Sequence, residues 1–222
     1  LEKSGIKFIF GKEITEISGE KVLAGSEEVA SAKVILVTTR EADLTALKDV
    51  NLEISDGNVV ANEKMQSSLK NVYVPGDVNG KNLLAHAAFK MGYIAASEIV
   101  EGKSDKYNNN IIPRAIYTYP EIGSVGLTEE EAKKSYDVKV GKFNYGANGR
   151  ALAHGDSSGM VKIISDARYG EILGAHIVGP RASELINEVS ILMQSEVIVE
   201  EAIKMVFGHP TFSEAIYEAI AD

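Results

Sequence analysis

His209 and Glu214 stand five positions apart in the stretch Gly208-His209-Pro210-Thr211-Phe212-Ser213-Glu214-Ala215-Ile216-Tyr217-Glu218-Ala219-Ile220-Ala221. A histidine held beside a carboxylate can take up or release a proton near neutral pH, because the carboxylate orients the ring and favours its charged form. Pro210 fixes its own φ and suits the first turn of a helix. The spacing therefore predicts a passage from loop into helix here, with His209 just ahead of the helix and Glu214 in its first turns. Thr211-x-x-Glu214 also fits a capping box, in which the same side chains only satisfy helix-end amides. Local spacing leaves both readings open.

Bulk properties narrow the chemistry. The 222 residues contain no cysteine, which excludes disulfides, thiolate nucleophiles and cysteine-based metal sites within the chain, and no metal centre is expected. No complete Gly-x-Gly-x-x-Gly or Gly-x-x-x-x-Gly-Lys-Ser/Thr fingerprint is present. A net charge of −9 without a Lys/Arg cluster argues against nucleic acid as a partner. The longest apolar runs, such as Val34 to Val37, are strand-sized, and no charged-then-apolar leader opens the chain. The expectation is a cytoplasmic protein with no membrane partner. The opening Leu1-Glu2-Lys3-Ser4-Gly5 lacks a methionine and reads as entering a domain midway, as a piece of a longer protein would.

Three blocks carry these residues. In the first, residues 1–40, β-rich stretches at 7–10, 13–17, 21–23 and 32–38 are punctuated by Gly11, Gly19 and Gly25. The continuous run Val34 to Val37 predicts a strand buried on both faces, as in a parallel sheet. A block this short cannot build its own core. In the second, residues 41–103, Asn71 to Asp77 reads as a short strand ending in a Pro-Gly turn. Residues 82–100 read as a helix, with Leu84, Ala88, Met91, Ala95 and Ile99 at helical spacing and Gly102 as its stop. Strand, turn and helix are the arrangement that offers backbone amides to a ligand. Residues 102–110 form a polar linker. The third block, residues 111–222, reads as α+β: Thr128 caps a short helix, and 139–145, 159–164 and 171–178 form three antiparallel strands. Residues 182–195 and 199–206 read as helices.

Four motifs, in order, resemble one family. Val74-Pro75-Gly76-Asp77 with Leu83-Leu84-Ala85-His86-Ala87-Ala88 resembles the second FAD-binding segment of the flavoprotein disulfide reductases, the FAD-dependent pyridine nucleotide-disulfide oxidoreductases. Residues 112–128, Ile172 to Pro180 and the His-Pro-Thr-x-x-Glu tail are similar to successive parts of that family's dimerisation domain. Within the family, the likeness is to members that oxidise protein-bound dihydrolipoamide with FAD and NAD+. The implied fold is α/β plus α+β: the end of a Rossmann-like NAD/FAD-binding region, then an antiparallel-sheet dimerisation domain with helices. The implied domains are 1–40 for the end of the NAD-binding part, 41–103 for the second FAD-binding part and 111–222 for dimerisation.

The resemblance implies that Asp77 bonds the ribityl chain of FAD and that Leu83, Leu84, Ala85 and His86 line the flavin, largely through backbone groups. Without the motif, Asp77 reads as a turn residue and His86 as a packing histidine. The resemblance also implies that His209 and Glu214 form an acid/base dyad serving the partner subunit of a homodimer, while the redox cysteine pair lies outside this chain. His154 and His176 read as structural, in a loop and a strand. Thr39 stands where the family has glycine at the end of its NAD domain, and Phe207 where many members carry a second histidine. The implied partners are the lipoyl domains of 2-oxoacid dehydrogenase or glycine cleavage complexes. Alternatives are another disulfide reductase, a soluble transhydrogenase, or a non-catalytic dimerisation fragment.

Overall fold

The computed structural model describes residues 1–30 and 33–222, which form two compact units, Leu1–Ala42 and Asp43–Asp222. In the first unit, β1 (Ile14–Ile17), β2 (Lys21–Ala24) and β3 (Glu27–Ala30) make an antiparallel meander. Ala24 is the buried hydrophobic residue among those described in this unit, as expected of a segment too short for a core. Two predicted strands are not found. Residues 7–10 are irregular, with the Phe8 and Phe10 rings stacked 5.5 Å apart. Residues 33–38 form no strand, and Ile35, Leu36 and Val37 are 81%, 66% and 88% exposed (Ala32 lies outside the described residues). An apolar run becomes a buried strand only beside partners, and the described three-stranded meander does not pair with it.

The second unit opens with a tight hairpin, β4 (Ile54–Ser55) and β5 (Asn58–Val59), turned at Asp56 and Gly57, both with positive φ. The predicted strand at 71–74 reduces to an isolated bridge between Gln66 and Tyr73. Helix α1 (Ala85–Glu101) follows and ends at Gly102, whose left-handed backbone returns its N–H to Glu98 O at 3.1 Å. Ala87, Met91, Ile94 and Ala95 face inward, whereas Ile99 is exposed.

The rest of this unit is a five-stranded antiparallel sheet in the order β6-β7-β10-β9-β8. Its strands are β6 (Arg114–Ile116), β7 (Glu121–Gly126), β8 (Val138–Asn144), β9 (Met160–Asp166) and β10 (Ile172–Gly179). The sequence reading anticipated β8, β9 and β10 but not β6 and β7. Between β7 and β8, α2 (Glu129–Ala132) begins with a complete Thr128–Glu131 capping box. Helix α3 (Gly149–His154) separates β8 from β9.

Helices α4 (Ala182–Gln194) and α6 (Glu214–Ala221) supply the core with the sheet, through Leu185, Ile186, Val189, Ala215, Ile216, Ala219 and Ile220 against Val125, Val161, Ile163 and Ile177. A smaller cluster of Ala132, Ile164 and Leu173 includes the buried side of α2. Helix α5 (Val199–Ala202) is one turn long, shorter than the predicted 199–206. Two glycines permit the close packing of helix on sheet. A Cβ on Gly123 would lie 2.4 Å from Ala182 O, and one on Gly141 would lie 1.9 Å from Ala219 O.

Candidate active site

The loop from Gly208 to Ser213 delivers His209 onto α6, whose Ala215, Ile216, Ala219 and Ile220 are buried and fix the helix to the sheet. Glu214 is the first residue of α6, so its carboxylate is set by a rigid element while still reaching the surface. His209 Nδ1 lies 2.8 Å from Glu214 Oε1. A carboxylate of this kind only accepts, so Nδ1 carries the hydrogen and the neutral ring presents an Nε2 lone pair. The His209 side chain is 77% exposed, which leaves that nitrogen open to an incoming donor.

The other Glu214 oxygen, Oε2, accepts the Thr211 backbone N–H at 2.8 Å. Half of the anticipated capping box is therefore present. The other half is not: Thr211 Oγ1 donates to Gly208 O at 2.7 Å and closes the loop on itself. Pro210 lies ahead of the helix in a bend, not in its first turn as predicted, because α6 starts four residues later. One carboxylate thus holds both the His209 ring and a backbone amide of the loop ahead of α6. The Thr211 amide first, and His209 second, hold Glu214 below the ordinary carboxylate value.

Residues far away in sequence hold the loop. Asn148, 3% exposed, donates through Nδ2 to Thr211 O at 3.0 Å. The Phe212 ring meets Tyr145 and His154 edge-on, at centroid distances of 6.2 Å and 5.8 Å. Ser213 Oγ donates to Glu188 Oε1 at 2.7 Å. None of these partners carried a sequence signal, since each acts through contacts between distant segments. His154 sits at the end of α3, not in a loop, and His176 in β10 donates through Nε2 to Leu127 O at 3.1 Å. Phe207 packs on Tyr217 at 5.6 Å.

The second candidate set lies around the start of α1. Gly76 adopts φ 88° and ψ −161°, a region open essentially to glycine alone, and its N–H points at Met91 Sδ 3.3 Å away. Asp77 follows on the surface and begins a short helical turn that runs to Asn79. Buried Asn79 fixes this turn, with Nδ2 donating to Val74 O at 2.7 Å and Oδ1 accepting Lys81 N–H at 2.9 Å.

Leu84 is the N-cap of α1 and gives it no side-chain cap, so the opening amides of Ala85, His86 and Ala87 have no partner of that kind. Leu83 and Leu84 are half-buried beside them, and Ala85 and His86 are exposed. His86 Nε2 donates to Pro113 O at 2.8 Å, which ties the ring to the following strand region. Gly76, just before Asp77, packs on α1, with a Cβ there lying 3.5 Å from Ala88 Cβ, so Asp77 and the start of α1 at Leu83–His86 fall at neighbouring turns of one unit. An exposed carboxylate and an uncapped helix start fit the polar chain and ring edge of a flavin. Among the described residues, no group of three or more His, Asp or Glu could hold a metal ion. No described helix is long and apolar enough to cross a membrane.

The model of the pyridine nucleotide-disulphide oxidoreductases matches residues 1–92, and the model of their dimerisation domain matches residues 112–220. The chain belongs to this family. In this chain, the His209–Glu214 pair and all of its anchors fall in the stretch matched to the dimerisation domain, and Asp77 with Leu83–His86 in the other. Dihydrolipoyl dehydrogenase of Bacillus subtilis is 39% identical over 175 residues, covering 78% of this chain and 38% of that protein. The human mitochondrial dihydrolipoyl dehydrogenase is 34% identical over 234 aligned positions, covering 99% of this chain and 46% of that protein. The chain thus spans less than half the length of these relatives.

The fold is that of LpdA from Mycobacterium tuberculosis, at TM-score 0.91 and 21% identity over 99% of this chain and 50% of that one. It also matches the HOCl-induced flavoprotein disulfide reductase RclA from Escherichia coli, at TM-score 0.85 and 20% identity over 99% of this chain and 53% of that one. The expected order holds for this chain: a pyridine nucleotide-disulphide oxidoreductase region, then an antiparallel-sheet dimerisation domain with helices.

Proposed function

We propose that this chain is the C-terminal part of a dihydrolipoamide dehydrogenase, an enzyme that oxidises protein-bound dihydrolipoamide with FAD and NAD+ through a redox disulfide outside residues 1–222. The observation that carries the reading is the 2.8 Å pair of His209 Nδ1 and Glu214 Oε1, with Nε2 left open to solvent. The choice of dithiol is supported by the relatives at 34–39% identity, which are dihydrolipoyl dehydrogenases.

In this reading, His209 Nε2 takes the proton from one thiol of the dihydrolipoyl group. The thiolate left behind is the species competent for exchange with a disulfide. Glu214 stabilises the imidazolium and keeps Nδ1 protonated throughout, so the ring does not lose its useful orientation. Asp77 and the amides at Leu83, Leu84, Ala85 and His86 would hold FAD, which supplies the two-electron acceptor between the dithiol and NAD+. The match to a dimerisation domain supports a homodimer in which His209 serves the partner subunit's disulfide. The corresponding domains of the chain are 1–40 for NAD, 41–103 for FAD and 111–222 for dimerisation. The macromolecular partners would be the lipoyl domains of 2-oxoacid dehydrogenase or glycine cleavage complexes.

The test is NAD+ reduction by dihydrolipoamide, using flavin-loaded full-length protein. Robust turnover is expected. Tightly bound FAD without dihydrolipoamide turnover would overturn the reading and leave another disulfide reductase or a transhydrogenase.

A further inference from the structure

We infer that Asn148 is a positioning residue for the His209–Glu214 pair, acting through the backbone of Thr211. The inference deepens the proposed reaction and rests on it for its kinetic consequences, but its geometric core stands alone. Asn148 is 3% exposed and lies 63 positions before Thr211, yet its amide spends each end on a different task. Oδ1 caps α3 by accepting the Ala151 N–H at 2.9 Å, and Nδ2 donates to Thr211 O at 3.0 Å. Thr211 is the link in the dyad loop that Glu214 also grips, through Oε2 and the Thr211 N–H at 2.8 Å.

The order of connections is therefore Asn148 to the Thr211 carbonyl, the Thr211 amide to Glu214 Oε2, and Glu214 Oε1 to His209 Nδ1. The Thr211 carbonyl and N–H sit in adjacent peptide planes joined at its Cα, so without the Asn148 donor the Thr211 φ and ψ loosen and its N–H is held less firmly toward Glu214. The carboxylate then gains freedom about its own side-chain torsions, and the ring loses the acceptor that selects its Nδ1–H form. Because the Phe212 ring is flanked by Tyr145 and His154, the loop stays in place and only the orientation of the Thr211 carbonyl and Glu214 is released. Small misalignments of this kind are expensive for proton transfer.

The capping and clamping roles separate by substitution. Asn148→Ser and Asn148→Asp both keep a good N-cap acceptor for Ala151 but offer no amide donor to Thr211 O. In full-length, flavin-loaded protein with 15N-labelled histidine, the tautomer of neutral His209 is read from its ring nitrogen shifts, and flavin reduction by dihydrolipoamide is read by stopped flow. Both variants are expected to lose the Nδ1–H preference and to slow flavin reduction roughly tenfold, with flavin content near wild type. Asn148→Ser should also melt close to wild type, whereas Asn148→Asp, which places a carboxylate in a buried position, should melt lower. A wild-type tautomer balance in either folded variant overturns the positioning role, even if dihydrolipoamide is not the substrate. Loss of flavin or of the fold in both variants also overturns it, since Asn148 would then serve only the integrity of the domain.

Discussion

Glu214 binds His209 with one carboxylate oxygen and the Thr211 amide with the other, each at 2.8 Å. The lone carboxylate both closes the turn into α6 and directs the ring, so changes on the loop side reach the histidine through a single group. This makes Glu214→Ala a harsher change than a lost surface ion pair, which contributes little by itself.

His209→Gln in the full-length enzyme should slow the dithiol half-reaction by about 10²- to 10⁴-fold, the usual contribution of a positioned acid/base group. Flavin content should be unchanged, because Asp77 and Leu83–His86 belong to another part of the fold. Stopped-flow reduction of the flavin by dihydrolipoamide reads the effect, and a near wild-type rate would refute the assignment.

The Thr211 amide and His209 hold Glu214 below its ordinary value of 4.5. A depressed carboxylate stabilises the folded state above the unfolded value, and that contribution fades as pH falls through the folded value. Wild type should therefore melt above Glu214→Gln at neutral pH, and the gap should close as the pH falls below the ordinary value of 4.5 and through the lower folded value. Paired melting curves across that range provide the check, and a gap that widens toward acid would contradict it.

Gly141→Ala should cost about 1–3 kcal/mol, since its Cβ would drive into Ala219 O and push α6 from β8. Gly149, at the start of α3, has open space at the same position, so Gly149→Ala should be stabilising by about 0.5–1 kcal/mol. Denaturant melts of the two variants give opposite signs if the packing is as described.

Asp77→Ala in full-length protein should weaken FAD retention by about 10- to 100-fold, the loss expected when a charged hydrogen-bond partner is removed. Flavin fluorescence released on dilution measures it directly. Undiminished retention would return Asp77 to the role of a turn residue.

The sequence made visible whatever is encoded locally. The contact between His209 and Glu214 was legible because both lie within one loop and one helical turn, although the same spacing also fitted a capping box. Helix α1 was legible from its apolar spacing and from Gly102. Strand β7 was not, because Gly123, Ser124 and Gly126 dilute its pattern, and Gly123 is there for the approach of α4 rather than for strand propensity. The run at Val34 to Val37 misled in the opposite sense, since hydrophobicity indicates a need for burial without providing the neighbours. Asn148 was invisible because its partner is 63 positions away and an isolated asparagine carries no pattern.

Glu214 occupies the first position of a helix whose next turns are buried against the sheet. The His209–Glu214 pair is thus bolted to the same beam that carries the domain's load. On heating, the chemistry should not fade ahead of the scaffold: catalytic competence and the sheet are expected to be lost together, in one transition.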